Sequence, residues 1–145
     1  MAISKVYSSS KDALFDLRDK ASLLISGSGG GSIPSQLVHA VRETGVKELT
    51  LVYSASVYGW CGGYNGIDDL IESGMVSRII SPMPFVPDQE SAVKKAWESG
   101  TVEIDIQPLG ILSERLRSGG AGLGGVFLPT GIGTRFQQDK EKRLI

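Results

Sequence analysis

Apolar residues recur along this chain in two rhythms. Short, nearly unbroken apolar runs at Ser22–Ser26, Leu49–Tyr53 and Val76–Ile80 have the length of buried strands, the last carrying Arg78 as its one charge. Val102 to Ile106 alternates apolar with acidic residues, the mark of a strand with one exposed face. Val126 to Leu128 reads as a further short strand. Between these runs the spacing turns helical. Ser10 to Lys20 puts Ala13, Leu14, Leu17 and Ala21 on one side. Pro34 opens a helix to about residue 44, with Leu37, Val38 and Val41 as its apolar face and Gly45 as its stop. Ile67–Ser73 is a short helix ended by Gly74. Asp88–Glu98 is a helix capped by Asp88 and stopped by Gly100, and Leu109–Arg117 is another.

Strands alternating with helices predict an α/β fold, an open and mostly parallel sheet with helices on both faces. The 145 residues fit one domain, residues 1–145, with no repeat and no dividing linker. A hydrophobic content of 41% is enough for a core. The formal net charge is −1 and no long basic block occurs, which argues against nucleic acid as a partner. Apolar runs such as Ala21–Ile25 are too short to span a bilayer. Residues 1–15 mix Lys5, Lys11 and Asp12 with serines and do not form a leader pattern. A single cysteine, Cys61, rules out an internal disulfide. The expectation is a soluble, cytoplasmic protein that does not engage a membrane.

The candidate chemistry gathers at glycines. Gly27, Ser28, Gly29, Gly30, Gly31 and Ser32 lie between a strand and a Pro-led helix, where backbone N–H groups favour an anion or a carbonyl oxygen. The spacing is neither the dinucleotide fingerprint nor a P-loop. A tight connection without a ligand is the competing reading, and the tendency of ligands to sit at strand carboxyl ends favours binding. A second cluster, Gly119, Gly120, Gly122, Gly124 and Gly125, follows a helix. A C-terminal cap explains one or two of these glycines, and five suggest close packing against another backbone, either within the domain or across an interface. His39 lacks a partner at metal-ligand spacing, and no metal site is expected. Cys61 lacks a nearby base. Glu114, Arg115 and Arg117 read as a solvated helix face, and Pro82, Pro84 and Pro87 as an irregular connector.

The stretch Glu114-Arg115-Leu116-Arg117-Ser118-Gly119-Gly120-Ala121-Gly122, followed by Pro129-Thr130-Gly131-Ile132-Gly133-Thr134, resembles the alpha (A) subunit of the class I coenzyme A transferases, of the 3-oxoacid or acetate CoA-transferase type. The family pattern reads E-R-(I/L)-R-x-G-G-A-G and then P-T-G-x-G-T. Weaker matches run in order along the chain: Lys5-Val6-Tyr7, Gly27 and Gly29 with Ile33-Pro34, Gly45 to Thr50, Val76 to Ser81, and Ser99-Gly100 with Glu103, Pro108 and Gly110. The resemblance implies the coenzyme A transferase fold. It also implies one subunit of a two-chain enzyme that moves coenzyme A between an acyl-CoA and a small carboxylic acid. The catalytic glutamate belongs to the beta subunit, so the catalytic residue is expected on a partner chain and the assembly is a hetero-oligomer. No cofactor is held permanently; the coenzyme A thioester is substrate.

This chain departs from the family pattern at the pocket. Leu109 stands where the family has the glutamine of P-Q-G, and it cannot donate a hydrogen bond. Tyr53-Ser54-Ala55 replaces S-N-N, the Pro82–Pro87 stretch replaces G-E-N, and Ser32 replaces a glycine. Candidate substrate-binding residues are therefore Gly27, Ser28, Gly29, Gly30, Gly31, Ser54, Ser56, Gln107, Leu109 and Gly110. Gln107 lies two residues before Leu109 and faces the same side if the strand continues, which makes it the nearest replacement donor. The chain also stops earlier than alpha subunits usually do. That leads to the expectation of a partner chain, or of a fragment. Loss of the glutamine and asparagines keeps two alternatives open: a hydrolase or decarboxylase-type lyase of the same fold acting on a CoA thioester, and a non-catalytic binding or scaffolding subunit.

Overall fold

A computed structural model describes residues 5–26, 33–54, 66–138 and 140–143. Four strands form one sheet: β1 (Ser22–Leu24), β2 (Leu49–Val52), β3 (Val76–Ser81) and β4 (Glu103–Ile106). All three pairings are parallel, and the strands lie side by side in chain order. The connecting helices are α1 (Ser35–Thr44), α2 (Ile67–Glu72) and α3 (Ala92–Glu98), and α4 (Leu109–Gly120) follows β4. Right-handed crossovers taken in sequential order bring every connecting helix to the same face. In keeping with this, α2 packs against both α1 and α3. α4 takes the other face, where it lines a cleft with Arg78, Glu103 and Asp105.

The side-chain alternation of the strands separates the two faces. Leu23, Leu51, Ile79 and Ile104 are register partners across the four strands. This row packs with Val38 and Val41 of α1, Leu70 and Ile71 of α2 and Val93 of α3 in one core. The preceding row, Ser22, Thr50, Arg78 and Glu103, points the opposite way and is polar in every strand. One face of the sheet therefore carries the core, and the other is partly polar.

Four expectations change. The first predicted helix is only a 3₁₀ turn, Asp12–Leu14, because Ser8 and Ser9 bond Asp12 and the chain proceeds by i→i+3 turns. Leu14 and Leu17 still reach the core, since an i, i+3 spacing suits successive 3₁₀ turns as well as a helix. Leu37 is exposed on α1, and Ala40 takes the buried position. α3 begins at Ala92 rather than Asp88. Its cap is Ser91, whose side chain accepts from the Lys94 N–H at 3.1 Å, and the Asp68 carboxylate of α2 is stabilised by the nearby N–H groups of Ala92 and Val93. Residues 126–128 pair with no strand among the described residues. The stops hold: Gly45, Gly74 and Gly100 take the left-handed conformation beyond their helices.

The capping assignment is testable. Ser91→Ala should cost about 1 kcal/mol in urea unfolding, and Asp88→Ala, outside the cap, only a few tenths. Equal losses would return the cap to Asp88.

Candidate active-site cleft

The carboxyl ends of β1 and β2 and the first two turns of α4 enclose a cleft of about 360 Å³. Ser26 and Ser54, each just past its strand, line it together with Leu24, Ile25 and Tyr53. Leu109, Leu112, Ser113 and Leu116 of α4 form the opposite wall. Of the candidate binding residues, the fold thus brings together Ser54 and Leu109. Ser26 joins them. Its only sequence signal is a position matching that of Ser54, two residues past the last paired residue of its strand. Gly27, Ser28, Gly29, Gly30, Gly31 and Ser56 lie outside the described residues. Gly110 does not line this cleft: a Cβ there would meet the Thr130 side chain at 3.5 Å.

Gln107 is not beside Leu109. β4 ends at Ile106, Pro108 turns the chain, and α4 starts at Leu109, so strand alternation does not carry across the pair. The Gln107 amide donates to the Asp105 carboxylate, and the side chain lines a separate cleft of about 810 Å³. There Arg78 pairs with Asp105 at 3.2 Å and lies 3.7 Å from Glu103. The Arg78 Nε and the buried Ser118 hydroxyl have no hydrogen-bond partner among the described residues. α4 is the wall between the two clefts. Ile111, Arg115, Ser118 and Gly119, at i, i+4, i+7 and i+8, look into the polar one. Leu109, Leu112, Ser113 and Leu116, at i, i+3, i+4 and i+7, look into the apolar one.

Tyr53 is buried, and its hydroxyl donates to the Pro84 carbonyl at 2.9 Å. This bond fastens the proline-rich connector after β3 to the end of β2. Burial pushes the phenol pKa well up, with the Asp68 charge adding to it, so Tyr53 serves as a neutral donor. The Asp68 carboxyl is also raised, chiefly by burial and then by Glu72, while the α3 N–H groups partly offset the shift.

Among the described glycines, Gly110 and Gly131 are closely packed. Thr130 packs on Gly110, and Gly131, at φ +90°, lies so close to Phe136 and Ile111 that a Cβ would meet the Phe136 Cβ at 3.3 Å. Thr134 accepts from the Phe136 N–H and donates to the Gly131 carbonyl. The segment 128–136 is thereby folded against the start of α4. Within the chain, the close packing expected of Gly119, Gly120, Gly122, Gly124 and Gly125 is absent: among the described residues a Cβ at any of them would meet no atom within 4 Å, so only the interface half of that expectation stands. Gly122 alone of the five takes a left-handed φ, just past the helix end, and Gly124 and Gly125 border the polar cleft. Glu114 and Arg117 pair with each other at 2.7 Å on the exposed side of α4. Among the described residues no group of His, Cys, Asp and Glu could hold a metal ion, and no helix is long and apolar enough to cross a membrane.

The sequence profile of coenzyme A transferase matches residues 7–145. The A subunit of the 3-oxoadipate CoA-transferase from Pseudomonas putida is 29% identical over 143 residues, 99% of this chain and 60% of that one. The A subunit of the probable succinyl-CoA:3-ketoacid coenzyme A transferase from Bacillus subtilis (strain 168) is 34% identical over 142 residues, 97% of this chain and 56% of the relative. The chain thus spans less than two thirds of the length of these relatives. Among solved structures, a variant of the decarboxylase AibA/AibB superposes with a TM-score of 0.69 at 21% identity. The match covers 89% of this chain and 48% of that one, a likeness of fold.

Two outcomes check the local picture. Tyr53→Phe deletes one buried hydrogen bond and leaves the Pro84 carbonyl without it, which should cost about 1–3 kcal/mol in urea unfolding and speed amide exchange at Met83 and Phe85. Asp68 has a folded pKa raised above its ordinary 3.8. Its protonated form is therefore favoured in the fold. That stabilisation is complete below the ordinary value and is lost as pH rises through the folded one. Asp68→Asn cannot titrate, so its Tm relative to wild type should climb as pH rises through that window; a constant difference would contradict the shift.

Proposed function

The chain belongs to the coenzyme A transferase family, and from that premise we propose that it is the A or alpha subunit of a two-chain enzyme moving coenzyme A between an acyl-CoA and a small carboxylic acid. The relatives that are named as subunits support the two-chain reading. The observation that carries the site is the cleft at the carboxyl ends of β1 and β2, where α/β folds bind ligands. In the covalent route that the family resemblance implies, a glutamate of the beta partner attacks the thioester carbonyl and expels the coenzyme A thiolate, leaving an acyl anhydride. The thiolate then attacks the glutamyl carbonyl and releases the first acid. The incoming carboxylate reverses these steps on the glutamyl thioester. Coenzyme A enters and leaves as a thioester, no cofactor is retained, and the enzyme works in the cytoplasm.

This chain's part is to wall the acyl group and to donate to the oxygen on which negative charge develops. Such donors act where charge appears in the transition state. Leu109 cannot supply one, and the hydroxyls of Ser54 and Ser26 line the same cleft. The glycine loop 27–31 adds backbone N–H groups in this reading. The absence of a donor at Leu109 also favours a second reading, hydrolysis or decarboxylation of a CoA thioester by the same fold.

The test is co-expression with a beta subunit, mass by light scattering, and thioester absorbance with acetate as acceptor. A hetero-oligomer with transferase activity is expected, and Ser54→Ala should lower its turnover by about 10²–10³. An assembled complex that transfers to no acid yet hydrolyses or decarboxylates a CoA ester would replace the first reading by the second. A well-behaved active monomer would sink the two-chain proposal.

A further inference from the structure

The chain segments that leave the strand carboxyl ends carry no cation. The chain has no ionisable Lys, Arg, His, Asp or Glu from Ala21 to Val38, which runs from β1 into α1. It has none from Leu49 to Ile67, which runs from β2 into α2, and none from Ile106 to Ser113, from β4 into α4. After β3 the first charges are Asp88 and Glu90, both acidic, and no cation comes before Lys94. The wall residues agree with this. Leu24, Ile25, Leu109, Leu112 and Leu116 present hydrocarbon, with Ser26, Ser54 and Ser113 as the small polar groups. The Tyr53 hydroxyl is engaged by Pro84. Arg78 and Arg115 line the other cleft, on the far flank of α4.

Resting on the acyl-CoA reading above, we infer that the acyl group taken by this cleft is apolar and uncharged, and that Leu109 sets this preference. A second carboxylate at the far end of the acyl chain would lose its water and find no countercharge among the described residues that line the cleft, a costly burial. A methyl end loses nothing polar and gains apolar contact. Leu109 is 55% exposed at the mouth of the cleft, so its side chain is available to a ligand. The cleft volume of about 360 Å³ lies in the range of small-molecule sites, roughly 300–1,000 Å³.

Pentanoyl-CoA and glutaryl-CoA have five-carbon acyl chains and differ at the end, methyl against carboxylate. The assembled complex, purified by a tag on this chain, is given each ester; binding is read by calorimetry and kcat/KM by thioester loss. The expected result is a preference for pentanoyl-CoA of at least about tenfold in kcat/KM, with binding in the same order. Leu109→Lys, checked for folding by circular dichroism, should narrow or reverse that ratio by accepting the glutaryl carboxylate, and Leu109→Ala should weaken pentanoyl binding without improving glutaryl. Equal or better use of glutaryl-CoA by the wild type overturns the inference while leaving the acyl-CoA reading intact. An assembled, folded complex that binds neither ester nor acetoacetyl-CoA overturns both.

Discussion

Parallel pairing in chain order is the constraint from which the rest of this structure follows. With β1 to β4 side by side in sequence, each crossover has the same hand and α1, α2 and α3 share one face. That face takes the apolar row Leu23, Leu51, Ile79 and Ile104 and becomes the core. The opposite face receives only α4 among the described helices. Its polar row from Ser22 to Glu103 is compatible with that thinner cover.

α4 in turn makes the chemistry of that face separable. A helix laid over a sheet has two flanks, and here they differ in kind. One flank brings Arg115 and Ser118 to Arg78 and Asp105; the other brings three leucines to the ends of β1 and β2. Gln107 and Leu109 are two residues apart and belong to different environments because Pro108 lies between a strand end and a helix start. The Thr130 and Gly131 contacts hold the first turn of α4 in place, so this one signature glycine, Gly131, acts on the cleft through the helix that walls it.

Much of this was legible in the pattern of the chain. The four paired strands, α1, α2 and α4 and the glycine stops followed from periodicity and from local capping chemistry. Part of what escaped was decided by local side-chain bonds, such as those of Ser8, Ser9 and Ser91, and part by contacts far apart in sequence. The start of α3 depends on Asp68, more than twenty residues upstream, and Asp88 is an equally good cap on local grounds. Residues 126–128 have a strand-like composition, but a strand exists only where another strand pairs with it. Within the chain, the glycines from 119 to 125 fall at a helix end and a cleft rim, not in close packing. Within the site, Ser54 and Leu109 were identified from the residues that replace family motifs, whereas Ser26 needed the strand geometry.

The way α3 is capped bears on how the protein comes apart. A seven-residue helix is too short to persist by itself in water. Two of its leading N–H groups stabilise the Asp68 carboxylate, and Val93 packs in the same core as Leu70 and Ile71. When α2 detaches, α3 loses the Asp68 carboxylate and its packing together and keeps only its own Ser91 cap. The two helices therefore behave as one cooperative unit in native-state fluctuations, opening and closing jointly at one end of the helical layer while β2 and β3 stay paired.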